Sequence, residues 1–432
     1  MGKKLLFLSK EKKIEVESDN NILDLFSVFN EERFLKDDNR KSLKLFIDDN
    51  KIDLLEDNIK KEKKDLETVV NNDFIYQYDE NVVVLTGAGS SIIELSEKSG
   101  KTMRQIVNAL NEEEDSGKAL DYLKNIVKCK NKDNDKDDEN DKHSDNDNIN
   151  INLEDLLSKA KMYEELGIED NIGDSIKKIE DKIREYCTLK YDKDYFKHGE
   201  FLSKFLKRKN NDERLKIFTT NYDTLFEQAA SDERIVVIDG FSFTNPSKFD
   251  GRYFDYDIVE RQYGSFSGEN SYIDNVIHLY KLHGSIDWVV ENNEVVKKYN
   301  VNNDERDFEY LMIYPASTKF KQTYETPYFE LFSRFISELK KKNTILIIIG
   351  FSFADEHLKT IVENALKTNR SLRILYVDVN LENENIKFLK DAAQSVGNVM
   401  LLSSTFSDFV TFIKDKKIYG NSYIGYKGDV NE

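Results

Sequence analysis

Five apolar segments between residues 81 and 378 each end in small or polar residues, and this feature constrains the fold most. The first segment, Asn81–Leu85, is rich in β-branched residues and leads directly into Thr86-Gly87-Ala88-Gly89-Ser90-Ser91. Uninterrupted apolar runs of strand length are typical of parallel strands that are buried on both faces. Stretches with helical spacing separate most of these runs, which indicates repeated βα units. The other four segments end in Asn221 and Asp223, in His283-Gly284, in Gly350 and Ser352, and in Asp378.

This pattern predicts an α/β fold with a Rossmann-like, doubly wound parallel sheet over residues 81–415. Residues 100–215 have mostly helical spacing and are predicted to be a helical insertion. Within them, residues 130–148 contain almost only Asp, Asn and Lys and are predicted to be a disordered loop. Residues 1–80 are predicted to form a small N-terminal α+β unit that serves as a scaffold or in oligomerisation. Residues 416–432 form a C-terminal tail.

Apolar spacing also predicts the elements of the N-terminal unit. A strand pair is followed by a helix, a further strand and an amphipathic helix. The predicted ranges are, in this order, Leu5–Leu8 with Ile14–Val16, Ile22–Phe29, Leu43–Ile47 and Ile52–Val70.

Composition excludes several classes of protein. The chain has 64 Lys and Arg against 82 Asp and Glu, a net charge of −18, so a protein dedicated to direct nucleic-acid binding is not expected. No apolar run approaches the roughly 20 residues of a membrane span. Charged residues 10–13 end the N-terminal apolar run too early for a signal peptide, so we expect a soluble, cytoplasmic protein. The only cysteines, Cys129 and Cys187, cannot form a four-cysteine zinc site, and we expect no bound metal.

The glycine-rich turn Gly87–Ser91 is a candidate phosphate-binding loop. In open α/β sheets, ligands bind beyond the carboxyl ends of the strands. Glycines let backbone N–H groups approach a pyrophosphate, and a helix that starts after such a turn attracts anions. The motif G-x-G-x-x-G is incomplete, because Ile92 stands at its last position. An ordinary βα turn is the alternative interpretation.

Two further strand ends carry candidate catalytic residues. Thr219-Thr220-Asn221-Tyr222-Asp223 lies between a strand and a helix, where an Asn or Asp commonly caps the helix. Capping would account for only one of its two polar residues. His283 is followed by Gly284, which suits an exposed imidazole at a cleft, and the ordinary pKa of histidine makes it a usable base. A purely structural histidine is the alternative.

Taken in order, these motifs resemble those of the sirtuin-like NAD-binding family. Thr86–Ser91 resembles its phosphate loop, Thr219–Asp223 its T-x-N-x-D motif, Leu282–Gly284 its L-H-G motif, and Gly350–Ser352 its G-x-S segment. The resemblance covers roughly residues 80–405. The four-cysteine zinc module of protein-deacylating sirtuins and the family's G-I-P-D-F-R stretch are missing. The resemblance is therefore to the zinc-less bacterial branch associated with antiphage defence, whose sirtuin-like domain destroys NAD⁺.

This resemblance implies an NAD⁺ hydrolase that releases nicotinamide and ADP-ribose. Asn221 would position the nicotinamide ribose and the attacking water, Asp223 would orient the carboxamide, and His283 would act as a general base. NAD is then the substrate. The residues implied in its binding are Gly87, Ala88, Gly89, Ser90, Ser91, Thr219, Gly350, Ser352 and Asp378.

Other functions stay open on the sequence alone. One is an NAD-dependent protein deacylase, and another is a non-enzymatic subunit that senses NAD or ADP-ribose. An enzyme that destroys a central metabolite must be restrained, so we expect a homo-oligomer or a separate partner protein such as a HerA-type ATPase. That expectation is an analogy with related systems.

Overall fold

The structure is a computed structural model. It describes residues 3–17, 28, 44–52, 56–76, 80–93, 96, 98–134, 153–167, 171–206, 213–260, 271–298, 309–312 and 327–414.

The strands within these ranges form one large sheet and two small ones. The large sheet has 11 strands in the order β4-β3-β2-β1-β17-β16-β15-β5-β6-β11-β7. In chain order the strands are β1 (Lys4–Leu8), β2 (Lys13–Glu17), β3 (Lys44–Ile47), β4 (Asn50–Ile52), β5 (Asn81–Thr86), β6 (Leu215–Thr219), β7 (Val236–Ile238), β8 (Ser247–Lys248), β9 (Val259–Glu260), β10 (Ser271–Tyr272), β11 (Val276–Lys281), β12 (Gly284–Glu291), β13 (Glu294–Lys297), β14 (Glu309–Met312), β15 (Thr344–Ile349), β16 (Arg373–Val377) and β17 (Val399–Leu402).

One part of the large sheet is entirely parallel. It contains, in sheet order, β17, β16, β15, β5, β6, β11 and β7. The chain starts this parallel part at β5, adds β6, β7 and β11 on one side, and then adds β15, β16 and β17 on the other side. The strand order therefore reverses between β5 and β15. The prediction of a doubly wound, Rossmann-like α/β sheet is confirmed.

The central strand β15 shows why an apolar run predicts this fold. All six of its residues are buried. Ile345, Ile347 and Ile349 enter one hydrophobic core, whereas Leu346 and Ile348 enter a second core on the opposite face. Alternate side chains of a strand point to opposite faces, so an apolar strand requires a cover on both sides.

Helices supply that cover. In chain order the α-helices of the described ranges are α1 (Glu56–Thr68), α2 (Met103–Glu112), α3 (Glu114–Asn134), α4 (Leu153–Glu165), α5 (Ile172–Cys187), α6 (His198–Phe205), α7 (Leu225–Asp232), α8 (Tyr328–Lys340), α9 (Glu356–Thr368), α10 (Lys387–Ser395) and α11 (Phe406–Phe412). Residues of α6, α7 and α11 enter the core that contains Ile347, and residues of α8, α9 and α10 enter the core that contains Leu346. No helix among the described residues is both long and apolar enough to cross a membrane.

The predicted helical insertion has its own hydrophobic core, which joins α2, α3, α4 and α5. Helix α2 begins at a capping box, in which the Thr102 hydroxyl accepts from the Gln105 N–H and the Gln105 side chain accepts from the Thr102 N–H. Helix α3 runs to Asn134, so the predicted loop at 130–148 does not start at residue 130. The rest of that loop lies outside the described residues.

The described strands of the N-terminal unit continue the large sheet. Strand β1 pairs antiparallel with β17, with Phe7 opposite Leu402, and β2, β3 and β4 follow as antiparallel neighbours. The predicted strand pair and the strand β3 are confirmed. The amphipathic helix begins only at Glu56, because Asn50–Ile52 pairs as β4. The predicted helix at 22–29 and the tail at 416–432 lie outside the described residues, and the domain boundaries stay a prediction.

A four-stranded antiparallel sheet, in the order β14-β12-β13-β8, was not predicted. Its central hairpin joins β12 to β13 through Asn292 and Asn293, which have φ angles of 51° and 61°. Two consecutive residues with positive φ form the turn that best matches the twist of a hairpin, and Asn tolerates this conformation. Strand β12 starts directly after His283, so this sheet begins at a candidate site residue.

Candidate functional site

The predicted site residues follow the carboxyl ends of five neighbouring parallel strands, β16, β15, β5, β6 and β11. The strand order reverses between β5 and β15. In doubly wound sheets this reversal opens a crevice in which ligands bind. The glycine-rich turn follows β5 and Gly350 follows β15, so the two segments lie where the strand order reverses.

The glycine-rich turn packs tightly against Gly350. The N–H of Gly87 donates to the carbonyl of Ile349 and the N–H of Gly89 donates to the carbonyl of Gly350, both at 3.0 Å. A Cβ atom on Gly89 would lie 2.6 Å from the Cα of Gly350. This close crossing of two backbones explains the glycines without a ligand. Binding of a phosphate by the turn stays a prediction.

The helix that the sequence suggested directly after this turn is absent from the described residues there. Residues Ala88–Ser90 form a single 3₁₀ turn, and α2 begins only at Met103. The N–H groups of Ser90 and Ser91 donate to the carbonyls of Gly87 and Ala88, each at 3.0 Å. These short-range bonds close a turn of three residues, so a helix N-terminus does not supply the anion attraction that we expected.

Asn221 ties the loop after β6 to the glycine-rich turn. Its side-chain N–H₂ group donates to the hydroxyl of Ser90 at 3.1 Å and to the hydroxyl of Ser91 at 3.0 Å. The backbone N–H of Asn221 donates to the hydroxyl of the buried Thr219 at 3.1 Å. Ser90 and Ser91 precede Asn221 by about 130 positions in the sequence. The parallel pairing of β5 with β6 brings them together.

Asp223 contacts both the start of a helix and the glycine-rich turn. One carboxylate oxygen accepts the N–H of Leu225 at the start of α7, at 3.1 Å. The other oxygen accepts the hydroxyl of Ser91 at 2.8 Å. Thr224 occupies the N-cap position of α7, so neither Asn221 nor Asp223 is the N-cap residue, although Asp223 accepts the first N–H of the helix. A carboxylate has about four lone-pair sites, so Asp223 retains capacity to accept from a carboxamide.

His283 is buried, contrary to the exposed imidazole that the following glycine suggested. Its side chain is 6% exposed, and its Nε2 atom lies 3.1 Å from a carboxylate oxygen of Asp355, which is 10% exposed. Asp355 follows β15, whereas His283 follows β11. Asp355 was not among the predicted site residues. Its position three residues after the G-x-S segment was the signal that could have indicated it.

The carboxyl group of Asp355 is held in its ionised form. Burial disfavours the charged form, but the hydrogen bond and charge of His283 and the N–H groups of Leu358 and His357 outweigh this effect. Together they lower the pKa of Asp355 to about 2. Asp355 is therefore a carboxylate at neutral pH.

A buried lysine supports the loop that carries Asn221 and Asp223. Lys281, the last residue of β11, is 1% exposed. Its ammonium group donates to the backbone carbonyl of Tyr222 at 3.3 Å, to the carbonyl of Asp223, and to the carboxylate of Glu227 at 3.3 Å. Burial raises the pKa of Glu227, and the charge of Lys281 opposes that shift. The sequence analysis missed Lys281, although a charged residue at the end of an apolar strand is an indication of such a role.

Ser352 and Asp378 lie at the other side of the crevice. Ser352 is exposed, and its carbonyl accepts from the side chain of Asn383 at 2.9 Å. Asp378 accepts the N–H of Asn380 at 2.9 Å, and burial raises its pKa to about 6. The structure places both residues beside Gly350, whose N–H donates to the carbonyl of Val377. A nucleotide contact of either residue stays a prediction.

The helical insertion contacts the site through the side chain of Tyr222, among others. Tyr222 lies between Asn221 and Asp223 and belongs to the hydrophobic core of α2–α5. Its carbonyl accepts from the hydroxyl of Ser285 at 3.3 Å. The insertion therefore fixes the position of the loop after β6.

Among the described residues, no group of three or more His, Cys, Asp or Glu side chains is arranged to hold a metal ion. The polar groups of the site are hydroxyl, amide, carboxylate and imidazole groups on adjoining strand ends. Such a set can bind ribose and carboxamide groups by hydrogen bonding and can move a proton at His283.

Comparisons with known proteins give one family match and one similar solved structure. The sequence model of a family described as "SIR2-like domain" matches residues 215–393, which include Asn221, His283 and Asp378. A solved structure titled "Structural Basis for the Mechanism and Regulation of Sir2 Enzymes" is similar over 83% of this chain and 99% of that chain, with 11% sequence identity and a TM-score of 0.34. A search of curated proteins finds no match.

Residues 215–393 are thus similar to the SIR2-like domain family. The match starts after the glycine-rich turn and ends before β17.

Proposed function

We propose that the chain is an NAD⁺ glycohydrolase, which cleaves the bond between nicotinamide and ribose to release nicotinamide and ADP-ribose. The observation that carries this proposal is the hydrogen-bonded cluster of Asn221, Asp223, Ser90 and Ser91. This cluster lies beside the crevice where the strand order reverses, and half of it falls within the SIR2-like match.

The chemistry requires groups that position and deprotonate rather than strong acids. Nicotinamide leaves as a neutral molecule, and the ribose carbon gains oxocarbenium character. The enzyme must therefore hold the ribose and deliver a water molecule. Asn221 would position the ribose and this water, Asp223 would orient the carboxamide, and His283 would accept the proton.

The remaining polar residues at the strand ends would hold the rest of the dinucleotide. In this proposal, the turn Gly87–Ser91, Thr219, Gly350 and Ser352 face the pyrophosphate and the adjacent ribose, and Asp378 accepts from the adenosine ribose hydroxyls. Asp378 accepts best above its raised pKa of about 6, where it is ionised. NAD⁺ is the substrate, and the proposal includes no zinc.

In a cell, such an activity must be restrained until it is needed. We propose a cytoplasmic, NAD-depleting effector in bacterial antiphage defence, which is controlled by homo-oligomerisation or by a partner protein such as a HerA-type ATPase. This setting follows from the zinc-less resemblance of the motifs. It predicts that NAD⁺ loss depends on the oligomer or on the partner.

The deciding experiment is product analysis. The purified protein is incubated with NAD⁺, with and without the protein encoded beside it, and the products are separated by chromatography. We expect equal amounts of nicotinamide and ADP-ribose. The matched Asn221→Ala protein controls for contaminating hydrolases, and its retention of full activity would contradict the assigned site.

The same experiment separates the rival functions. Addition of an acylated peptide would yield O-acyl-ADP-ribose if the chain were a protein deacylase. Binding of NAD⁺ without turnover, with and without the partner, would instead indicate a sensor. Cyclic ADP-ribose as the main product would change the assigned reaction from hydrolysis to cyclisation.

A further inference from the structure

We propose that Asp355 is the positioning residue for His283 and fixes the orientation of the imidazole ring that accepts the proton during NAD⁺ cleavage. This inference rests on the proposed function for its catalytic meaning. Its structural content, an oriented carboxylate–imidazole pair, is independent of the substrate.

The contact between the two residues spans the site. His283 follows β11 and Asp355 follows β15, and the sheet order places β5 and β6 between these two strands. Strands in a sheet are about 4.8 Å apart, so the strands of origin are separated by roughly 14 Å. The segment after β15 must cross over the ends of β5 and β6 to bring Asp355 within 3.1 Å of the imidazole. Both side chains are at least nine-tenths buried.

The other oxygen of Asp355 is anchored to the backbone. Its Oδ1 atom accepts the N–H of His357 at 2.8 Å and the N–H of Leu358 at 3.1 Å, which makes Asp355 the N-cap of α9. Two backbone bonds fix the plane of the carboxylate and leave Oδ2 directed at His283. The positive end of the helix dipole favours the ionised carboxylate at this position.

This geometry determines that the ring nitrogen facing Asp355 carries a hydrogen. When Nε2–H donates to Asp355, the neutral ring carries its lone pair on Nδ1. As the C–N bond of NAD⁺ breaks, its electron pair leaves with nicotinamide, and the oxygen of water bonds to the ribose carbon. The proton of that water passes to the imidazole of His283. The imidazolium that forms faces a carboxylate that stabilises its charge.

The test uses substitutions that preserve the helix cap. Asn and Ser both cap helices well, so Asp355→Asn and Asp355→Ser retain the backbone function and remove the charge. We expect kcat to fall by about 100-fold, the effect of a small misplacement of a catalytic group. The Kd for carba-NAD, a non-hydrolysable analogue, should change less than about 2-fold. Asp250→Asn is the matched control, since Asp250 also caps a helix, at Arg252, and we expect unchanged turnover.

A double-mutant cycle shows whether Asp355 acts through His283. In a His283→Ala background, Asp355→Asn should lower kcat no further, because the imidazole that it positions is gone. Independent, multiplying effects of the two substitutions would overturn the proposal. So would an equal loss of analogue binding and turnover, because that result indicates a general structural role.

A spectroscopic measurement separates this inference from the proposed function. The method is ¹⁵N NMR of protein with ¹⁵N-labelled histidine. The ring signals of His283 are assigned as those that disappear in the His283→Ala spectrum. We expect the ring hydrogen on Nε2 in the wild type and a changed tautomer equilibrium in Asp355→Asn. Unchanged His283 signals would overturn the pair. A wild-type protein that never cleaves NAD⁺ would overturn the proposed function. The NMR signals would still show whether Asp355 holds His283 in one tautomer.

Discussion

Substitution of Gly350 by alanine should damage both stability and the site. Gly350 has a φ angle of 59°, in the left-handed region where a Cβ atom costs about 1–2 kcal/mol. A Cβ at this position would also lie 2.5 Å from the Cα of Gly89 and 2.8 Å from the N of Ser90. Both are backbone atoms, so relief requires the two segments to separate, and such overpacking costs about 1–3 kcal/mol.

The chain provides a matched control for the backbone cost alone. Gly167 has nearly the same φ angle, 62°, and a Cβ there would meet no atom within 4 Å. Gly167→Ala carries the same left-handed cost and the same stiffening of the unfolded chain. The two variants should therefore differ in free energy of unfolding by about 1–3 kcal/mol, the steric part of the Gly350 effect.

Urea unfolding followed by tryptophan fluorescence measures this difference. The chain has one tryptophan, Trp288, which is 1% exposed and reports on the folded core. NAD⁺ turnover should fall in Gly350→Ala and persist in Gly167→Ala, because Ser90 contacts Asn221. Equal unfolding free energies for the two variants would refute the steric argument.

Three further outcomes follow from the described contacts. Asn221→Ala should lower NAD⁺ turnover at least about 100-fold, measured by nicotinamide release, because the group that positions the reactants is lost. Lys281→Met should reduce the free energy of unfolding by about 3–5 kcal/mol in urea titrations, since the mostly buried Glu227 and two backbone carbonyls lose their buried ammonium partner. Burial lowers the pKa of His198 to about 3, so the unfolded chain binds a proton below pH 6.5 that the folded chain does not bind. Stability should therefore fall with decreasing pH, by about 2 kcal/mol at pH 5, and His198→Leu should remove this contribution.

Each outcome has a control. Asp250→Asn, outside the proposed site, tests whether any loss of a side-chain polar group lowers turnover as strongly as Asn221→Ala. Glu227→Leu combined with Lys281→Met should recover much of the lost stability, since an apolar pair replaces the ion pair. An acid profile of unfolding that is identical in His198→Leu and wild type would show that His198 is not the acid-sensitive group.

Strand ends were predictable because they are local patterns. An apolar run followed by glycine, asparagine or aspartate is contained within about ten residues, so β5, β6, β15 and β16 could be placed closely from the sequence. The order of these strands and the crevice between β5 and β15 follow from βα repetition and from the connection rules of parallel sheets.

Long-range contacts were not predictable in the same way. Asp355 and His283 are 72 residues apart, and nothing local in either segment specifies the other. In the sequence, Lys281 looks like the ordinary last residue of a strand. Its backbone partners are carbonyls in the loop after β6, about 60 residues earlier. The hairpin between β12 and β13 did have a local signal, the pair Asn292-Asn293 between apolar residues, and the analysis overlooked it.

The burial of Tyr222 couples the helical insertion to the candidate loop after β6. Local unfolding of α2–α5 would expose this ring to water and remove the packing that holds the backbone between Asn221 and Asp223. Amide hydrogen exchange of the two regions should then follow one shared opening equilibrium. A helical layer that ends at Cys187, well before the L-H-G motif, would then belong to the same cooperative unit as the candidate site.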